Sequence, residues 1–180
     1  MANSQGHRQV RGLIWAALCE RPKHIPIGRP RGQKAYGPRY ERALERGPLC
    51  GATRGQWFAF LDLNGQGHCQ TDFIINQADR LVVLECKYTW VPEGQRQIDQ
   101  LYRPVLEKVF HKPVIGVVVC NRVVPQVDGL VFGDLDGAIR YAASGKDAIW
   151  HYAMACGPGP FKRQRSSGHH VGLALPGRAT

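Results

Sequence analysis

The sequence predicts an α/β chain with a mixed central sheet of about four to five strands flanked by helices. Three observations carry that expectation. Residues 70–75 and 80–88 are rich in β-branched side chains and flank the turn-forming Gln77-Ala78-Asp79-Arg80, a hairpin pattern. Residues 94–110 carry Ile98, Leu101, Tyr102, Val105, Leu106 and Val109 on one helical stripe. Pro113 to Cys120 is a continuous apolar run, as expected of a strand buried on both faces. Strand, helix and buried strand in succession fit a right-handed crossover.

Taken in chain order, Val10, Leu13, Ile14, Ala17 and Leu18 recur at helical spacing, so an amphipathic helix is expected over 8–20. Residues 21–37 mix three prolines and three glycines with basic side chains and read as an extended or mobile loop. A short helix should run from Pro38 to Arg46 and stop at Gly47-Pro48. Residues 56–63 form the first strand, and Asn64-Gly65-Gln66-Gly67 turns the chain into the second. Pro104 should kink or divide the helix over 94–110. A short strand is expected around Leu130 to Phe132 and helices within 134–155. Beyond Gly157-Pro158-Gly159-Pro160 no periodicity remains, and 157–180 reads as a disordered basic tail. The expected organisation is a basic arm over 1–36, a core over 37–156 and that tail.

A formal net charge of +10 and a pI near 9.7 point to a polyanionic partner, most simply nucleic acid. Residues 1–55 hold 11 Lys and Arg against 3 Asp and Glu, a surplus of 8, leaving 2 for the rest. The six cationic residues from Arg21 to Arg39 are unbroken by any acid, which suits contact with a phosphate backbone. Six cysteines lie far apart without a C-x-x-C pair, against a zinc ribbon and in favour of a reduced, cytoplasmic protein. The apolar stretch from Gly12 to Cys19 is too short to span a bilayer, so no membrane anchoring is expected.

Chemistry concentrates at one end of the hairpin. If the turn is centred between Ala78 and Asp79, residues whose numbers sum to 157 stand opposite, and Asp72 faces Glu85. Lys87, two residues on, shares that face. Glu85 directly follows Leu81-Val82-Val83-Leu84, where a carboxylate is costly unless a cation or hydrogen bonds hold it. A metal site and an ion pair with Lys87 both meet that need. Asp62 ends the first strand and reads as a solvated carboxylate rather than a site member. His68-Cys69 reads as local packing rather than zinc, and His169-His170 as polar tail.

Together, Gly37-Pro38-Arg39-Tyr40-Glu41, Gln70-Thr71-Asp72, Glu85-Cys86-Lys87 and Gln97-Ile98-Asp99-Gln100-Leu101-Tyr102 resemble the PD-(D/E)xK nuclease superfamily. The resemblance spans roughly Gly37 to Cys120 and implies a restriction-endonuclease-like fold, in the style of small stand-alone phage or mobile-element members. Thr71 stands where the signature proline would be, which removes no catalytic group. Some exonuclease-like members space Gln and Tyr four apart, whereas Gln97 is five and Gln100 two before Tyr102. The resemblance implies that Asp72, Glu85 and the Cys86 backbone carbonyl bind Mg²⁺ or Mn²⁺, since hard cations prefer oxygen. Lys87 would orient or deprotonate the attacking water and stabilise developing charge, needing a lowered pKa to act as a base. Glu41 would complete the site, and Glu45 one turn away adds repulsion that a cation would relieve. Gln100 would orient the lysine or meet the scissile phosphate. Arg29, Arg31, Lys34, Arg39 and Gln97 would contact nucleic acid, with Lys162, Arg163 and Arg165 assisting.

The expected function is therefore a metal-dependent nuclease acting on DNA. The alternatives are a non-catalytic nucleic-acid-binding module on the same fold, and a structure-selective or RNA-directed nuclease. A junction-resolving enzyme would need a symmetric dimer, for which the sequence carries no signal.

Overall fold

A computed structural model describes residues 8–25, 35–124, 127 and 129–154. Within them the chain is mixed α/β, with nine strands in two sheets. The smaller sheet has the order β1 (Trp15–Cys19), β3 (Trp57–Asp62), β4 (Gly65–Gln70), all antiparallel. The larger has the order β2 (Thr53–Arg54), β5 (Phe73–Asn76), β6 (Leu81–Thr89), β7 (Val114–Arg122), β9 (Ala148–His151), β8 (Leu130–Phe132). Pairing is antiparallel from β2 to β6 and parallel from β6 to β8. Helices α1 (Tyr36–Arg46) and α4 (Leu135–Ala142) pack on one face of this sheet. On the other lie α2 (Glu93–Gln97), a π-helical turn (Ile98–Tyr102), α3 (Arg103–Phe110) and the smaller sheet.

The two cores follow from strand alternation. Along β6, Val82, Leu84 and Cys86 face Tyr40 and Leu44 of α1, while Leu81 and Val83 face Ile98, Val105 and Leu106. Between these layers β7 is buried from Val114 to Asn121, as its unbroken apolar run predicts. The β5–β6 register pairs Phe73 with Leu84 and Asn76 with Leu81, the expected register.

Several sequence expectations change. Residues 8–20 are extended, not helical. Gly12 takes a left-handed φ of 57°, and Trp15–Cys19 completes the otherwise open edge of β3. Val10, Leu13 and Ala16 pack on the core, while Ile14 and Leu18 are exposed, so apolar periodicity misled there. The run over 70–75 is not one strand: β4 ends at Gln70 in the small sheet, and β5 begins at Phe73 in the large one. The preceding turn is tighter than expected, at Leu63-Asn64. Residues 148–151 form a strand rather than a helix, because α4 ends at Ala142, ahead of Gly145 (φ 78°), and the buried Ala148, Ile149 and Trp150 with His151 lie beside β7. The central sheet consequently has six strands. The loop over 26–34 and the segment 155–180 lie outside the described residues.

Pro104 acts as expected, though without breaking the helix. Lacking an N–H, it cannot bond the Gln100 carbonyl one turn back, and the π-helical turn falls in that stretch. The Gln100 carbonyl instead accepts the Val10 N–H at 2.9 Å, fastening the N-terminal segment to the helix. No helix among the described residues is long and apolar enough to cross a membrane.

Gly116 lets the π-helical turn lie on β7, since a Cβ there would stand 2.1 Å from Ile98 Cγ2. Gly116→Ala should lower the unfolding free energy by about 1–3 kcal/mol in urea titrations. Adding Ile98→Ala should cost less than the two changes summed, and strict additivity would contradict this packing.

Candidate active site

Asp72 lies where the chain leaves the small sheet for the large one. Its neighbours fix the crossing: the Thr71 N–H donates to the Gln56 carbonyl at 3.0 Å, and the Gly55 N–H donates to the Asp72 carbonyl at 3.0 Å. Gly55, with φ 69°, makes this bend available. The Asp72 carboxylate accepts the Cys86 N–H at 2.7 Å. In an extended strand the N–H and C=O of one residue point to the same side, so the Cys86 carbonyl opens toward this edge as well.

Glu85 and Lys87 continue the β6 face that carries Leu81 and Val83. Glu85 is only 3% exposed; Oε1 accepts the Lys87 ammonium at 2.5 Å, whereas Oε2 is buried without a partner. Lys87 Nζ also reaches Gln97 Oε1 at 3.4 Å. The Gln97 amide donates to the Tyr102 hydroxyl, which donates to the Gln70 carbonyl at 2.9 Å. This chain of contacts links the lysine to the strand that delivers Asp72. Gly94 assists, because a Cβ there would meet Val118 at 3.3 Å and Lys87 Cε at 3.5 Å. The start of α2 can thus lie directly on the lysine stem.

Burial raises the Asp72 pKa well above the ordinary carboxylate value, with the charges of Glu85 and Glu41 adding to it. Burial likewise raises Glu85, against the opposing pull of Lys87. For Lys87, burial lowers the pKa, but Glu85 and Asp72 outweigh it and the net shift is upward. The lowered pKa that a general-base role would need is therefore not found: beside Glu85 and Asp72 the ammonium keeps its proton.

A cleft of about 460 Å³ is lined by Glu41, Glu45, Arg54, Gly55, Gln70, Thr71 and Asp72. Arg54 spans the two glutamates, with Nη1 2.6 Å from Glu45 and Nη2 3.1 Å from Glu41. The repulsion expected between these glutamates is thus relieved by an arginine. Arg54 escaped the sequence reading, although like charges four apart on a helix call for a cation. Tyr102 escaped too, being read as a core residue.

The structure brings Asp72, Glu85, Cys86 and Lys87 together, with Glu41 on the adjoining wall. It exchanges the two glutamines: Gln97 reaches the lysine, while Gln100 is exposed. With Ile98, Leu101 and Tyr102 turned into the core, position 100 faces outward. Asp62 is not solvated. It is buried, with Arg8 and the N–H groups of Arg11 and Asn64 on its carboxylate, which hold its pKa low despite burial. His68 packs edge-on against His24 at 5.7 Å and Cys69 is buried, as local packing. Arg39 is exposed on α1; Arg29, Arg31, Lys34, Lys162, Arg163, Arg165, His169 and His170 lie outside the described residues.

Among the described residues, no group of three His, Cys, Asp or Glu side chains is arranged to hold a metal ion. Two carboxylates and a backbone carbonyl still suit a hard cation of the Mg²⁺ type, which keeps waters and takes substrate phosphate oxygens as further ligands. The unpartnered buried oxygen of Glu85 fits that role. Compared with protein-family models, curated proteins and solved structures, the chain matches none.

Raised carboxylate values have a direct consequence for stability. In the window above the ordinary value, the folded protein holds protons that the unfolded chain has released, so these groups stabilise at low pH and cease to do so as pH rises through the raised values. Asp72→Asn keeps an acceptor for the Cys86 N–H and removes the charge. In chelator its melting temperature should exceed the parent's by a margin that widens as pH rises through that window. Mn²⁺ should raise the melting temperature of the parent and not of the variant. A margin that shrinks with pH would contradict the buried charge pair.

Proposed function

We propose that the chain is a metal-dependent nuclease that hydrolyses phosphodiester bonds in DNA, on a fold of the PD-(D/E)xK kind. The observation that carries this reading is Glu85, a buried carboxylate beside Asp72 with one oxygen unpartnered and the other on Lys87. Asp72, Glu85 and the Cys86 carbonyl would hold Mg²⁺ or Mn²⁺. Such an ion, when bound, polarises a phosphoryl oxygen and acidifies water.

The chain's own groups have distinct tasks. Lys87, kept protonated, donates hydrogen bonds to a phosphoryl oxygen and stabilises the charge that develops as the water oxygen bonds to phosphorus and the ester oxygen departs. Being protonated, Lys87 would not take the water's proton, which would pass from the acidified water to solvent, while the departing ester oxygen would take a proton from solvent. Gln97 and Tyr102 position the ammonium, and Gly94 leaves room for its stem. A net charge of +10, weighted toward residues 1–55, supports a polyanionic substrate.

One observation favours a second reading, a non-catalytic nucleic-acid-binding module. Lys87 pairs with Glu85 and Arg54 bridges Glu41 and Glu45, so five of the six charged side chains at the site, all but Asp72, have an ion-pair partner within the protein. An RNA-directed or junction-selective nuclease would share the same site chemistry.

Cleavage of labelled linear duplex, supercoiled plasmid, single-stranded DNA and RNA in Mg²⁺, Mn²⁺ or EDTA, beside Glu85→Ala, separates these readings. Metal-dependent DNA cleavage lost in the variant is expected. No cleavage of any substrate, with salt-sensitive binding retained, would favour the binding module. Lys87→Ala should reduce the cleavage rate by about 10²–10³-fold with little change in DNA affinity, whereas a proportional loss of both would reduce Lys87 to a phosphate contact.

A further inference from the structure

Arg54 is the cation that lines the cleft ending at Asp72. It sits on β2 opposite Phe73, next to the crossing, and the following residue, Gly55, bonds the Asp72 carbonyl. Its guanidinium is about one-quarter exposed, and its recorded partners are Glu41 and Glu45, both on α1. An arginine facing an open cleft of about 460 Å³ has room for a bidentate contact with a phosphate, the anion its planar fork matches best beside a carboxylate. Glu41, freed of that arginine, would line the same cleft as Asp72 with an unneutralised carboxylate.

We propose that Arg54 is an exchangeable positioning residue: in the free protein it occupies Glu41 and Glu45, and an entering substrate phosphate draws it away and releases Glu41 to strengthen cation binding at Asp72. This rests on the nuclease reading of the Asp72–Glu85 site. The geometry for such coupling is in place, since Glu41, Arg54 and Asp72 line one cleft. The exchange makes phosphate and cation binding mutually reinforcing, because each favours the state in which the arginine has left the glutamates. It also keeps the number of unpaired acids low while no substrate is present, limiting repulsion of the incoming polyanion.

Two measurements on the full chain test the exchange. Calorimetric titration of DNA-free protein with Mn²⁺ should show tighter binding in Arg54→Ala, on the order of tenfold, or one additional ion. Adding Glu41→Gln to that variant should remove the gain. In EDTA, Arg54→Ala should weaken duplex DNA binding and reduce the slope of log affinity against log salt by about one. If Arg54→Ala does not fold, Arg54→Lys, which cannot bridge both glutamates as a fork, should show the same directions with smaller size. Unchanged Mn²⁺ binding in a folded variant overturns the exchange, as does an unchanged salt slope, since both halves are required. A parent that binds no Mn²⁺ at all overturns the nuclease reading itself. A parent that binds Mn²⁺ through Asp72 while Arg54→Ala matches it overturns the exchange alone.

Discussion

The hydrogen bond from the Cys86 N–H to the Asp72 carboxylate is the contact on which the site depends. Asp72 belongs to neither sheet: it lies between the end of β4 and the start of β5, where the chain passes from the small sheet to the large one. Tying its side chain to the backbone of β6 fixes that passage against the strand that carries Glu85 and Lys87. The β5–β6 register then sets which side chains meet, because a one-residue slip would turn Glu85 and Lys87 into the α1 face. The apolar alternation of Leu81 to Leu84 across two cores makes such a slip costly. Site geometry is in this sense a by-product of core packing.

Local rules are broken in the same place. A strand buried on both faces should not carry a carboxylate at its middle, and two carboxylates should not be brought together under burial that raises both pKa values. The surrounding contacts limit this cost without removing it: Lys87 takes one Glu85 oxygen, Cys86 takes one Asp72 oxygen, and Glu85 Oε2 is left without a partner. The other buried acid among the described residues is satisfied. Asp62, covered but nearer the surface, is surrounded by Arg8 and backbone donors and its pKa is held low. The contrast between these acids in one protein sets Asp72 and Glu85 apart as a candidate site, since conflicts of this sort concentrate at working sites.

Much of this was legible in the sequence. The hairpin register, the buried β7, the helix over 94–110 and the meeting of Asp72, Glu85 and Lys87 follow from β-branching, apolar runs and a turn of defined length. What was not legible depended on pairing between distant segments. Trp15–Cys19 has helical spacing, yet the unpaired edge of β3 decides its conformation. Residues 148–151 were too few to declare a period, and their place beside β7 makes them a strand. The choice between Gln97 and Gln100 turned on how the helix faces fall around the π-helical turn ahead of Pro104. Arg54 is separated from Glu41 by 13 residues, and only folding makes it their neighbour.

The central claim is that the Asp72–Glu85 pair is built to hold a divalent cation. Crystals grown with Mn²⁺, with anomalous scattering recorded near the manganese edge, test it most directly. The account predicts an anomalous peak within coordination distance of the Asp72 and Glu85 carboxylates and the Cys86 carbonyl, and no peak there in Asp72→Asn crystals grown alike. Saturating Mn²⁺ with no peak between these groups, and the Lys87–Glu85 pair unchanged, would contradict it.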